Sequence, residues 1–182
     1  MKHGGFTALE LLVTMAVAGI LLSIAVPEMR SLIRHQQLKA AVGDLFGAVE
    51  LTRSLAMARG SRVMLAPVDP KGADWSRGWV VFVDHDGDAR PGPGDELINS
   101  RGALAGDIAV QFDFSSNKQP EYLAFNSAGR GCTDSSSQAA RWGTISLFQD
   151  QRTRRIKINM LGRVRVCDPA RDGADCDGAA PP

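Results

Sequence analysis

Gly5-Phe6-Thr7-Ala8-Leu9-Glu10-Leu11-Leu12-Val13 opens the stretch that decides how this chain is built. From Phe6 to Val26 the sequence reads FTALELLVTMAVAGILLSIAV, 21 residues carrying one charge, at Glu10. About 20 apolar residues are needed for a helix to span a bilayer, so the run just suffices. A short basic leader, Met1-Lys2-His3-Gly4-Gly5, precedes it. A secretory signal peptide is the plain alternative, with Ser23-Ile24-Ala25 as its small-residue cleavage site. Glu10 argues against that alternative. A carboxylate inside an apolar span costs about 2.5–3.5 kcal/mol at the centre and less near the end, and is usually retained for a purpose.

Downstream, Pro27 ends the apolar run and is expected to kink the helix, because it lacks a backbone donor and crowds the preceding turn. Met29, Leu32, Ile33, Leu38, Val42, Leu45, Val49 and Ala56 then recur at helical spacing, which predicts an amphipathic helix over 28–60 that stops at Gly60. Taken together, Phe6 to Arg59 would form one kinked helix roughly 80 Å long at 1.5 Å per residue. The remainder, 61–167, reads as short strands and turns. Strands are expected at Arg62–Ala66, Gly78–Val83, Ile108–Phe114, Tyr122–Phe125 and Thr144–Phe148, and a terminal hairpin from Arg155–Asn159 and Arg163–Val166 with Gly162 in its turn. The fold class is therefore α+β, with a long N-terminal helix whose hydrophobic half lies in a membrane and whose amphipathic half packs on an antiparallel β-sheet domain.

The 182 residues balance to a formal net charge of +1, so total charge selects no partner. Its distribution does. Between Gln151 and Cys167 there are six basic residues and no acid, whereas the segment from Asp168 holds four aspartates against Arg171 alone. That last segment, 168–182, is rich in Asp, Gly, Ala and Pro and is expected to be a flexible acidic tail apart from any tether at Cys176. Three cysteines, Cys132, Cys167 and Cys176, allow at most one internal bridge; Cys132–Cys167 and Cys167–Cys176 are both open.

The opening stretch resembles the prepilin motif: a glycine, then Phe-Thr, then a glutamate five residues into the mature chain. The resemblance implies that a prepilin peptidase removes the leader, residues 1–5, between Gly5 and Phe6 and methylates the new amine of Phe6. It also implies that Glu10 pairs with the terminal amine of a neighbouring subunit during assembly, which supplies the opposite charge a buried carboxylate requires. Residues 6–27 become the transmembrane and filament-core helix.

Trp75 to Asp84, Glu96-Leu97-Ile98, Leu123-Ala124-Phe125-Asn126 to Gly129, and Gly162-Arg163-Val164-Arg165 resemble the GspH/FimT family of type IV minor pilins and type II secretion pseudopilins. The resemblance implies a type IV pilin-like fold and a subunit anchored once in the bacterial inner membrane. It further implies a periplasmic domain and other pilin subunits as partners. The Gly-Arg-x-Arg motif resembles that of FimT-like members, in which C-terminal arginines bind DNA during uptake. Alternate strand residues share a face, so Arg163 and Arg165 would project together about 6.6–6.8 Å apart, near the spacing of successive phosphates. Arg155 and Lys157 would form a neighbouring row. The alternative is a GspH-like pseudopilin of the type II secretion machine with no nucleic-acid role.

Other motifs carry less. Asp84-His85-Asp86-Gly87-Asp88 suggests calcium, but counted as an EF-hand loop its sixth and twelfth positions are Ala89 and Asp95 rather than Gly and Glu. A solvated loop is the better reading, and no metal or cofactor is expected. His3, His35 and His85 are scattered, and no phosphate loop or Cys-x-x-Cys is present. The chain reads as a non-enzyme.

Overall fold

The computed structural model describes residues 7–116 and 119–181. Gly5 and Phe6, on which the cleavage reading falls, lie outside them. The first element, α1 (Ala8–Arg59), begins with a capping box. The Thr7 hydroxyl accepts from the Glu10 amide at 3.3 Å, and the Thr7 amide donates to the Glu10 carboxylate at 3.5 Å. Two backbone donors that a helix start leaves without partners are thereby engaged. Pro27, the expected kink, lies inside α1 rather than at an end. The chain divides into two compact units, one ending at Gln37 and the other beginning at Leu38.

In the first unit the described residues are almost wholly helical, and the helix is long and apolar enough to cross a membrane. Met29, Leu32 and Ile33, expected to begin the packed stripe, are exposed. Burial starts at Leu38 and continues through Ala41, Val42, Leu45, Ala48, Val49, Thr52 and Ala56, at the three-and-four spacing that keeps one face inward.

That face belongs to the second unit, where α1 meets two four-stranded antiparallel sheets. The first contains β1 (Val63–Pro67), β2 (Trp79–Val83), β3 (Glu96–Arg101) and β5 (Leu123–Phe125), in the order β3-β2-β1-β5. The second contains β4 (Ala109–Phe114), β6 (Gly143–Gln149), β7 (Arg152–Ile158) and β8 (Val164–Cys167), in the order β4-β6-β7-β8. One cluster joins helix and both sheets, with Leu45 and Val49 among Leu65, Val81, Phe125, Ile145, Leu147 and Ile156. At about 1.5–3 kcal/mol for each large side chain removed from water, this is the dominant stabilising contact of the unit. A smaller cluster, Met64, Ala66, Val80, Phe82, Ala89, Tyr122, Ala124 and Cys132, fills the opposite face of the first sheet. Both faces of β1 are therefore covered, which explains its uninterrupted apolar sequence.

The strand β3 was not expected. Its side chains are mostly exposed and polar, so it lacks the alternation that marks a half-buried strand. It is an edge, tied to α1 by ion pairs Arg59–Glu96 and Arg101–Asp44, both 2.7 Å. Charges at that edge disfavour pairing with a stray strand.

The segment from Asp168, expected as a flexible tail, carries helix α2 (Pro169–Asp172) and a 3-10 turn at Gly173–Cys176. The Asp168 side chain caps α2 by accepting from the Ala170 amide at 3.0 Å, and Pro169 takes the first helical position. A disulfide joins Cys167 to Cys176, with Cα atoms 5.9 Å apart. Closing so short a loop restricts the unfolded chain by on the order of 2–3 kcal/mol.

Arg141 is the most demanding buried group of the fold, at 2% exposure. Its guanidinium lies 4.1 Å from the Tyr122 ring centroid and donates to the carbonyls of Tyr122 and of Ser116, the latter at 2.9 Å. Burial lowers its pKa from the ordinary arginine value. Replacing Arg141 by leucine leaves those carbonyls without donors, and urea denaturation is expected to show a loss of about 3 kcal/mol. Unchanged stability would mean that the cation contributes nothing net.

Candidate functional site

Antiparallel register brings the terminal motif together with residues far away in sequence. Asp113 on β4 pairs with Thr144 on β6, Thr144 with Lys157 on β7, and Lys157 with Arg165 on β8. One row of side chains thus crosses all four strands of the second sheet on a single face. Two residues further along each strand, Ser115, Trp142, Asn159 and Arg163 form a second row on that face. Between and above these rows lies a groove of about 790 Å³, lined by both rows and by Asp177.

The turn that positions Arg163 is tightly specified. The Gly162 amide donates to the Asn159 carbonyl at 2.9 Å, and the Asn159 carboxamide oxygen accepts from the amides of Leu161 and Arg163 at 3.0 and 2.9 Å. Gly162 has φ of +76°, and a side chain there would meet the Gly129 carbonyl oxygen at 2.0 Å. Only glycine fits. Gly129 is held in turn by Arg53 of α1, whose Nε donates to the same carbonyl at 3.0 Å. The stretch ending at Gly129 and the stretch beginning at Gly162, separate in sequence, are thus one backbone contact braced by the helix.

The four cations picked from the sequence do not behave alike. Arg155 is committed: its guanidinium donates to Ser146 Oγ at 3.2 Å and to the carbonyls of Cys176, Gly178 and Ala179, the last at 2.7 Å. Lys157 forms an ion pair with Asp177, and Arg165 donates to the Asp175 carbonyl. Arg163 is exposed, and among the described residues its guanidinium has no hydrogen bond or ion pair. Arg154, on the other face of β7, pairs with Asp168 at 2.8 Å.

The acidic segment therefore lies across the sheet. Ser146 and Thr144 are buried, although they are on the outward face. A side chain on Gly178 would come within 3.0 Å of both Arg155 Nε and Thr144 Cγ2. The segment covers the Arg155 end and reaches as far as Lys157, leaving the row with Trp142 and Arg163 open. The Lys157 hydrogen bond holds the Asp177 carboxyl below its usual range. The contact is therefore fully present above the ordinary carboxylate pKa and is lost as pH falls through the lowered value.

Trp142 was not singled out in the sequence. It is 40% exposed, whereas Trp75 and Trp79 are buried. The Asp84, Asp86 and Asp88 carboxylates come within 4.8 Å of one another, far from the terminal motif in the sheet order. They are spent on loop amides: Asp84 accepts from Gly87 at 2.7 Å and Asp88 from Arg90 at 2.7 Å. This is how a turn-rich acidic loop satisfies its backbone.

A long N-terminal helix with an apolar first half, followed by antiparallel sheets packed on its second half, defines a type IV pilin-like protein. The family model described as Type II transport protein GspH matches residues 41–162, and the chain belongs to that family, one of structural pilins and pseudopilins rather than enzymes. The fold is similar to the crystal structure of the type IV minor pilin FimU of Pseudomonas aeruginosa. The TM-score is 0.57 at 18% identity, over 75% of this chain and 92% of that one. It is also similar to the minor pseudopilin EpsH from the Type 2 Secretion System of Vibrio cholerae. There the TM-score is 0.50 at 16% identity, over 74% and 99% respectively. No curated protein matches the chain in sequence.

The remaining cysteine, Cys132, is buried, and burial pushes its thiol up to about 11. A buried thiol with so little thiolate is a poor nucleophile. Without reductant, a thiol-reactive dye at pH 8 is expected to label no cysteine in the folded protein and one after denaturation. Two or more labelled after denaturation would contradict the Cys167–Cys176 bridge.

Proposed function

We propose that this chain is a minor pilin, anchored once in the bacterial inner membrane with its sheet domain in the periplasm, that binds DNA through the groove at its terminal hairpin. Its partners are other pilin subunits, a prepilin peptidase that cuts between Gly5 and Phe6, and DNA taken up for transformation. The observation that carries the DNA reading is the uncommitted guanidinium of Arg163, fixed by a turn only glycine can make and opening on a groove shared with Lys157 and Arg165. Guanidinium groups donate to phosphate in a fixed fork, and such contacts are sequence-independent and salt-sensitive. The disulfide in the sheet domain suits an oxidising periplasm.

A second reading is favoured by one specific observation: the acidic segment already engages Arg155, Lys157 and Arg165. If that occupation is permanent, the hairpin is a braced structural end, and the chain serves a type II secretion pseudopilus without nucleic acid.

The two readings part in a gel-shift titration of the full-length chain in neutral detergent at low salt. On the DNA reading, Arg163→Ala weakens binding most, by about tenfold, and lowers the salt slope by about one. Arg155→Ala acts less on DNA, because its donors serve the backbone of the tail. Asp177→Asn strengthens binding several-fold by releasing Lys157. Absence of binding by the wild type leaves the structural role.

Glu10 sits at the start of α1, and among the described residues its carboxylate bonds within its own first turn. On the assembly reading, Glu10→Ala abolishes incorporation into filaments and Glu10→Asp retains part of it. Sequencing of the protein from its host would begin at Phe6. Filaments unaffected by Glu10→Ala would remove the proposed pairing with a neighbour's amine.

A further inference from the structure

The part of the groove that the acidic segment leaves open is more than a phosphate site. Extending β6, β7 and β8 by one residue each places Trp142 and Arg163 on either side of Asn159, on the same outward face. Two strand spacings separate them, roughly 10 Å between backbones. Trp142 is the exposed tryptophan of the described residues, and it stands beside Ser115 rather than inside either apolar cluster. Along the strands, Trp142 lies two residues from Thr144 and Arg163 two from Arg165, so the open row runs parallel to the row holding Lys157. The lining also contains Asp113 on β4 and Asp177 of the tail, acids that repel a phosphate and so favour its placement on the Arg163 side.

We infer that the groove selects single-stranded over double-stranded DNA, with a base stacked on Trp142 and the neighbouring phosphate held by Arg163. This inference rests on the DNA reading above and sharpens it. A duplex offers phosphates outside and keeps its bases paired and stacked within, so an indole on the surface gains nothing from it. An unpaired strand presents both chemistries side by side, and base–aromatic stacking with a cation along the backbone is how unpaired strands are held without sequence preference. Lys157 and Arg165 join as the strand displaces Asp177 and the Asp175 carbonyl, which makes the tail a competitor for the same positions.

Fluorescence and affinity test this together on the full-length chain in neutral detergent at low salt. Trp75 and Trp79 are buried, so quenching on binding reports on Trp142. The probes are a mixed-sequence single-stranded oligonucleotide and its duplex of equal length. The single strand is expected to bind about tenfold more tightly and to quench tryptophan emission, while the duplex leaves emission largely unchanged. Trp142→Ala brings single-strand affinity down to that of the duplex and leaves the duplex value alone; Trp142→Phe, which keeps a ring, retains most of the preference. If Trp142→Ala fails to fold, wild-type quenching and Trp142→Phe decide. Equal binding of both forms without quenching, with both weakened by Arg163→Ala, overturns the single-strand preference and leaves DNA binding intact. Binding of neither form overturns the DNA reading and this inference with it.

Discussion

The apolar stripe of α1 from Leu38 to Ala56 has to be covered, and each of the two sheets turns an apolar face to it. Helical spacing and strand alternation converge on one cluster, in which Leu45 and Val49 meet Leu65, Phe125, Ile145 and Ile156. The placement of everything else in this unit follows from that contact. It fixes the rotation of the helix, and the rotation brings Arg53 over the loop that ends at Gly129. The loop then receives Gly162 at a distance no side chain would allow, and so the turn carrying Arg163 is positioned by a helix that ends about a hundred residues and several strands earlier in the chain. Stripping apolar groups from the stripe would therefore disturb the groove as well as the stability.

The two halves of α1 answer to different solvents. From Leu38 the helix is amphipathic because one side meets protein and the other meets water. Up to Val26 it is apolar on nearly every side, with Glu10 its one charge, and its side chains are exposed in the isolated chain, as expected of a helix whose partners are lipid or other subunits. The capping box at Thr7 and Glu10 shows that the carboxylate also has a local use. A glutamate three residues after the cap satisfies backbone donors even where no neighbour is present, and that use is compatible with exchange for a stronger, charged partner on assembly.

The terminal hairpin shows how one stretch of basic residues separates into different roles. Arg154, Arg155, Lys157, Arg163 and Arg165 look equivalent as a charge run. Strand alternation sends Arg154 to one face, where Asp168 neutralises it, and the others to the opposite face. There the disulfide at Cys176 returns the acidic segment over the sheet, so its carbonyls and Asp177 occupy three of the four cations. What remains outward is Arg163, across Asn159 from an indole the charge pattern gave no reason to notice.

Local chemistry was enough to read much of this protein. An apolar run of bilayer length with a single carboxylate, helical periodicity up to Gly60, β-branched runs between turns and a glycine between two alternating basic strands each follow from short-range sterics and solvation. Those are properties of a residue and its near neighbours. Tertiary structure alone decided the rest: that packing of α1 begins at Leu38 and not at Met29, that a polar edge strand exists at Glu96–Arg101, that Cys167 meets Cys176, and that Trp142 stands beside the arginines. Each depends on which distant segment arrives against a given face, and strand register, which no local pattern encodes, determines that arrival.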